Sequence, residues 1–129
     1  DMATVVGIFE DQYKKNKPLT IVKPGTQKRM FTHIDDTIKT CIEAWKKDKC
    51  FHYSISHKKS YSIKDLAKMF KTKIIYLKPR LGERYASALT KMSNNRKIIN
   101  KYGKIDLKDY ITSFIKNAKY ENKKLTKIN

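Results

Sequence analysis

Glycine is scarce in this sequence, with four among 129 residues, at positions 7, 25, 82 and 103. Their spacing forms neither GxGxxG nor GxxxxGK[ST], which excludes a dinucleotide-binding turn and a P-loop, because both need clustered glycines to bring backbone N–H groups against phosphate. The two cysteines, Cys41 and Cys50, show no CxxC spacing and no companion histidine pair, so neither a zinc site nor a disulfide framework is expected and reduced thiols are. No apolar run approaches the roughly 18 to 20 residues that span a bilayer. The N-terminus lacks the charged and apolar regions of a signal peptide. The expectation is a soluble, cytoplasmic protein with no membrane partner. Arginine is also rare, four residues at positions 29, 80, 84 and 96 among 30 basic ones.

What is present is lysine. The formal net charge is +18 with 12 acidic residues, a balance that ordinarily points to an anionic partner. A surface that reads nucleic acid draws on arginine for bidentate contacts, however, and the lysines run through nearly every segment. Lys, Ile and Asn together fit a genome rich in A and T codons, which argues against nucleic acid as the partner. A basic nucleic-acid-binding module stays open as the alternative class. At 40% hydrophobic and 11% aromatic the chain holds enough apolar material for one core, and its length suits one domain.

Apolar residues at Val5, Ile8, Phe9 and Tyr13 mark one face of a first helix that stops before Pro18. Residues 19–22 then read as a strand, Pro24-Gly25 as a turn and residues 29–33 as a second strand. Asp35 and Asp36 open a helix carrying Ile38, Cys41, Ile42 and Trp45 to about Lys47. As neighbours on a helix their carboxylates diverge, so they suit a structural capping role better than acid–base work. Residues 50–56 suit a strand, and Ser62-Ile63-Lys64-Asp65 reads as a capping box with Asp in place of Glu. Another short strand covers residues 73–77, followed by an irregular loop over 80–93. Ser93 suits the start of a short helix to Tyr102, and Asp106 precedes the most regular apolar stripe, Leu107 to Ala118. Beyond Tyr120 a frayed basic tail is expected. The pattern predicts a mixed α/β fold with about five helices and several short strands.

Acid–base and metal chemistry find little support. His52 and His57 lie five apart across a strand end, so they point to opposite faces, and His33 has no partner at ligand spacing. The stronger candidates are arginines beside turns. Arg29 follows Pro24-Gly25 and Arg80 lies with Gly82 in the irregular loop, where a planar guanidinium fork can clamp a diphosphate as a lysine cannot. From the residues alone, ordinary surface salt bridges explain both arginines equally well.

The run Pro18-Leu19-Thr20-Ile21-Val22-Lys23-Pro24-Gly25-Thr26-Gln27-Lys28-Arg29-Met30-Phe31-Thr32-His33-Ile34-Asp35-Asp36 closely resembles a segment, PLTIxGxGxQxRDFTHVDD, of the NAD-dependent sugar-nucleotide epimerases and dehydratases, the extended branch of the short-chain dehydrogenase/reductases. The resemblance continues in order through Phe51-His52-Tyr53-Ser54-Ile55-Ser56, Tyr61-Ser62-Ile63-Lys64-Asp65-Leu66-Ala67 and Arg80-Leu81-Gly82-Glu83. It runs from about Ala3 to about Lys116. It implies that Arg29 and Arg80 contact the diphosphate of a sugar nucleotide, UDP-sugar above all, that Glu83 contacts the nucleoside ribose, and that the backbone from Leu19 through Ile21 to Val22 runs beside the base. Met30 stands where the family has Asp, Lys23 where it commonly has Gly, and Tyr102-Gly103 replaces the usual Leu-Gly-Trp.

The resemblance covers only the C-terminal, substrate-binding part of that family. The Rossmann half with its Gly-rich turn and Tyr-x-x-x-Lys pair has no counterpart here. Tyr13 and Lys17 have the YxxxK spacing but no glycine-rich turn before them, and are read as coincidence. Residues 1–119 are therefore expected to form the substrate-binding domain and 120–129 a flexible basic tail. NAD belongs to the complete enzyme and none is expected on this chain, which alone is expected to be inactive and to carry no catalytic residue. The expected partners are a nucleotide sugar and the missing Rossmann half, with a homodimer left open. A non-catalytic nucleotide-sugar-binding protein is a further alternative. The half-enzyme reading expects the face of Ile38, Ile42 and Trp45 to be exposed, ready to be covered.

Overall fold

A computed structural model describes residues 4–47, 52–79, 81–82 and 85–125, the last four of these by their backbone only. Four helices and six short strands alternate along the described residues. Helix α1 (Val5–Lys14) leads into β1 (Leu19–Val22) and β2 (Lys28–Arg29). Helix α2 (Ile34–Lys47), β3 (His52–His57), β4 (Tyr61–Ser62) and α3 (Ile63–Met69) follow. Strands β5 (Ile74–Leu77) and β6 (Ile98–Gly103) precede the closing helix α4 (Leu107–Leu125). The strands form three two-stranded sheets, with β1–β5 and β3–β6 parallel and β2–β4 antiparallel.

The mixed α/β reading holds, with local differences. Residues 94–102, expected to be helical, instead enter β6, because Ile98 and Ile99 are β-branched and pair with His52 and Tyr53 of β3. Among the described residues this leaves four helices where about five were expected. The strand expected over residues 29–33 shortens to Lys28–Arg29 and pairs antiparallel with β4. Helix α4 continues to Leu125, past the end of its apolar stripe. The strand expected from Cys50 begins, within the described residues, at His52.

One hydrophobic core joins α1, β1, α3 and α4. Phe9, Leu19, Ile21, Leu66, Ala67, Phe70, Leu107 and Ile111 are all buried there. Period-2 alternation sends Leu19 and Ile21 inward and leaves Thr20 and Val22 half-buried on the other face of β1. Gly25 has a φ of +68°, and a Cβ built on it would lie 2.6 Å from Ile21 Cγ2, so the turn after β1 needs glycine twice over. Tyr13 sits within this aromatic core, 5.7 Å from Phe70 and 6.0 Å from Phe114 between ring centroids. Lys17 lies beyond the C-cap of α1, so Tyr13 and Lys17 do not share a helical turn.

Caps follow the sequence closely. Ser62 and Asp65 form the expected capping box on α3. Asp106 Oδ1 accepts from the Lys108 N–H at 2.9 Å at the start of α4 and from the Tyr61 hydroxyl at 2.7 Å, while Oδ2 takes Lys59. Burial, the largest single influence, acts to raise its pKa, but the donors together outweigh it and hold Asp106 down to about 2 against an ordinary 3.8. A depressed carboxylate contributes stability above its unfolded pKa and loses it as pH falls through the folded one. The expected result is a loss on the order of 1 to 2 kcal/mol as pH drops from about 4 to about 2. Urea titrations across that range should show it, and Asp106→Asn should flatten the acid limb; an unchanged limb would exclude Asp106 as its source.

The second packing unit, α2 with β3 and β6, is built differently. The residues that α2 buries are Asp36 and Thr40, with no apolar side chain among them. Asp36 Oδ2 accepts from the backbone N–H groups of Lys104 and Ile105 at 2.8 and 2.9 Å, and Glu43 pairs with Lys101 of β6 at 2.6 Å. Asp36 therefore serves as a tertiary tether. The N-terminus of α2 is capped instead by His33, whose Nδ1 accepts from the Asp35 N–H at 3.1 Å.

Candidate functional site

Strands β1 and β5 run parallel in the register Leu19 with Ile74 to Val22 with Leu77, so their carboxyl ends open at the same edge of the molecule. The crevice outside the carboxyl ends of parallel strands is where ligands sit in open α/β sheets. Both candidate segments leave from this end: Arg29 comes seven residues after Val22, and the loop of Arg80 and Glu83 follows Leu77.

The structure brings these two segments together through Arg29. Its Nη1 donates to the carbonyls of Lys28 and Ala86, each at 2.9 Å. Lys28 N–H donates to Ser87 Oγ at 2.9 Å, Ala88 N–H donates to the Lys28 carbonyl at 3.1 Å, and Arg29 bridges Ala88 in parallel. The loop that begins at β5 is thus clamped back onto β2 three residues after Glu83. Arg80 and Glu83 themselves lie outside the described residues. No carboxylate among the described residues forms an ion pair with Arg29, which removes the salt-bridge explanation for it there. Leu19 and Ile21 are fully buried in the core, main chain included; a ligand beside β1 would meet Thr20 and Val22, which are half-buried. The Thr20 N–H is already taken by Gln12 Oε1 at 3.1 Å.

Arg29 lines a cleft of about 540 Å³, together with Val6, Glu10, Phe31, His33 and Tyr110. The size suits a small organic ligand. The Tyr110 hydroxyl donates to Glu10 Oε1 at 2.7 Å, and that bond together with burial pushes its pKa up to about 12. Tyr110 stays protonated at neutral pH and holds Glu10 in place. The His33 ring packs on Tyr110 at 5.3 Å while its Nδ1 caps α2. The cleft therefore offers a guanidinium, a fixed carboxylate and apolar walls: groups that bind and orient.

Sequence reasoning singled out Arg29 but gave no signal for the Ala86 carbonyl that anchors it or for the Glu10 and Tyr110 pair in the same cleft. The Ala86 carbonyl has no signature as a residue type, and Glu10 with Tyr110 pairs across 100 positions. Among the described residues no three His, Cys, Asp or Glu side chains gather to hold a metal ion, and no helix is long and apolar enough to cross a membrane. His52 is exposed and His57 is buried on the opposite face of β3, as the spacing predicted.

The architecture among the described residues is mixed α/β, four helices with short strands in three two-stranded sheets. Among solved structures, the chain matches UDP-glucuronic acid 4-epimerase from Bacillus cereus in complex with UDP-glucuronic acid and NAD, with a TM-score of 0.62, 22% identity, and 91% of this chain aligned to 40% of that one. It also matches the UDP-glucose 4-epimerase of Thermotoga maritima with UDP-glucose, with a TM-score of 0.64, 19% identity, and 97% of this chain aligned to 41% of that one. The chain therefore spans about two fifths of the length of these enzymes. No protein-family model and no curated protein matches it.

Proposed function

We propose that this chain is the nucleotide-sugar-binding part of an NAD-dependent sugar-nucleotide epimerase or dehydratase, taking a UDP-sugar. The observation that carries the reading is Arg29, a guanidinium free of carboxylate partners in the described residues, lining the cleft and hydrogen-bonded to the loop that also carries Arg80 and Glu83. The matched enzymes, crystallised with UDP-glucuronic acid and NAD and with UDP-glucose, support it. Arg29 and Arg80 would hold the diphosphate, Glu83 would accept from ribose hydroxyls, and the base would lie beside β1 at Thr20 and Val22.

The residues of this chain do not fit NAD. Its four glycines fall within α1, in the turn after β1, in the loop after β5 and at the end of β6. None opens a helix after a strand in the way a pyrophosphate cradle requires. Redox chemistry therefore belongs to the remainder of the enzyme, and the work of this chain is to bind and orient the nucleotide sugar.

Calorimetry with UDP, UMP and UDP-glucose tests the assignment. UDP and UDP-glucose are expected to bind, UMP more weakly. Arg29→Ala should weaken UDP at least tenfold, about 1.4 kcal/mol, with no rescue by Arg29→Lys, because a lysine lacks the bidentate fork. Equal affinity of the variant and the parent for UDP would remove Arg29 from the site.

A further inference from the structure

The end of the molecule opposite the candidate site carries charge of one sign. Strands β1 and β5 begin there with Leu19 and Ile74, and the Leu19 N–H donates to the Lys73 carbonyl at 2.8 Å, so the turn after α1 and the turn after α3 lie side by side. Helix α4 passes the same place, where the Lys14 ammonium sits over Phe114, 5.5 Å from the ring centroid. Lys14, Lys17, Lys71, Lys73, Lys116 and Lys119 are exposed on these three segments. None of the six forms an ion pair among the described residues. The sequence holds no acidic residue between Asp11 and Asp35, between Asp65 and Glu83, or between Asp109 and Glu121, and Asp11 is paired with Lys15 at 2.8 Å.

Two ordinary explanations fall short. A lysine-rich composition spreads lysine everywhere, but elsewhere in the fold it comes with carboxylates: Glu43 takes Lys47 and Lys101, and Asp106 takes Lys59. Helices α1 and α3 both end at this pole, and their dipoles attract cations. Two helix C-termini amount to about one negative charge in all, however, against six ammonium groups. Lys71 also stands in a costly conformation. It follows the C-cap of α3 with a φ of 53°, in the left-handed region where glycine or asparagine ordinarily sits, as Asn16 does at the matching position after α1. A lysine there strains the backbone, and it lines a cleft.

That cleft, of about 320 Å³, has apolar walls from Tyr13, Phe70 and Ile115 and a polar rim of Asn16, Lys71, Thr72 and Lys119. Its size is at the lower end of small-molecule sites. An ammonium is a compact point charge with three donors, well suited to phosphate oxygens, and a ligand that gathers several of them must itself carry several negative charges. We propose that this pole is an anion site, separate from the cleft of Arg29, that takes a compact molecule or head group bearing several phosphates. Lysines without arginine around a cleft of this size fit such a ligand better than a nucleic-acid strand. The proposal does not rest on the UDP-sugar reading, since this cleft lies at the amino ends of β1 and β5 and the segment of Arg29 leaves from their carboxyl ends.

The test is calorimetry with inorganic tripolyphosphate in about 0.15 M salt, where long-range attraction is screened. It is run on the Arg29→Ala chain, so that the other cleft does not compete for the probe. Saturable one-to-one binding is expected. Lys71→Asn and Lys119→Ala should each weaken it on the order of tenfold, the loss of one charge-assisted bond, while Lys46→Ala, an exposed lysine of α2, should leave it unchanged. Lys71→Asn should also raise the urea midpoint of the free chain, because asparagine adopts that φ at less cost. Vesicles of phosphatidylcholine with and without phosphatidylinositol bisphosphate separate the two sources of phosphate. Sedimentation with the bisphosphate vesicles, abolished by Lys71→Asn, assigns a lipid head group; tripolyphosphate binding without sedimentation assigns a free polyphosphate. No saturable binding, binding indifferent to both Lys71→Asn and Lys119→Ala, or an equal loss in Lys46→Ala would each overturn the proposal.

Discussion

Replacing Phe70 with alanine is expected to cost about 3 to 5 kcal/mol, the range for deleting a buried aromatic ring. Phe70 is 1% exposed and lies at the centre of the aromatic cluster, with ring centroids 6.1 Å from Phe9, 5.7 Å from Tyr13 and 6.0 Å from Phe114. Its edge contacts add to simple area burial. The ring is also where α1, α3 and α4 meet, so no single neighbour can move into the space without leaving another contact. Since small domains hold about 5 to 15 kcal/mol in total, Phe70→Ala should bring the chain to the margin of folding. Denaturant unfolding followed by circular dichroism reads this directly, and a loss below about 1.5 kcal/mol would show that the cluster collapses around the gap.

The second large effect is expected at Asp36. Its Oδ2 takes two backbone donors, Lys104 N–H at 2.8 Å and Ile105 N–H at 2.9 Å, in a setting where Asp36 is only 6% exposed. Alanine leaves both donors without a partner, and each such loss costs about 1 to 3 kcal/mol, so Asp36→Ala should lose about 3 kcal/mol. Asn keeps a carbonyl oxygen at the same place and should recover most of it. Recovery separates the tether from the mere presence of a charge. If Asn were as damaging as Ala, the negative charge rather than the two bonds would be what matters. Space is tight here as well: a Cβ on Gly103 would lie 3.1 Å from Asp36 Oδ2, so glycine at the end of β6 lets the carboxylate reach the segment beyond it.

What could be read in the sequence divides along a physical line. The four helices were legible because their signals are local: the stripe of Leu107, Ile111 and Ala118, and the Ser62 and Asp65 capping box, lie within a few turns of chain. Strand β6 was not legible, because Ile98 to Gly103 becomes a strand by pairing with residues more than forty positions earlier. The same holds for β2, which finds β4 instead of the strand beside it in sequence. Asp35 and Asp36 look alike in sequence, yet one is exposed and the other is a buried tether, a difference made by where residues 104–105 return. At the candidate site Arg29 stood out as a rare residue type, while its anchor, the Ala86 carbonyl, is a backbone atom that every residue possesses. The exposure of Ile38, Ile42 and Trp45 was expected from the resemblance to part of a longer enzyme, and the structure shows that face open.

The position of Trp45 bears on how this protein can be measured. It is the chain's one tryptophan, and it is 81% exposed on α2, away from the buried core. Indole emission from this chain therefore reports on an outward helix surface: it responds little when the core melts, because the ring is already in water, and shifts to the blue when something covers that surface. Among the eight tyrosines, Tyr13 lies in the core between Phe70 and Phe114, so a part of the tyrosine absorbance follows folding. The indole thus gives a channel for what happens on the surface of α2 that is separate from the melting of the core.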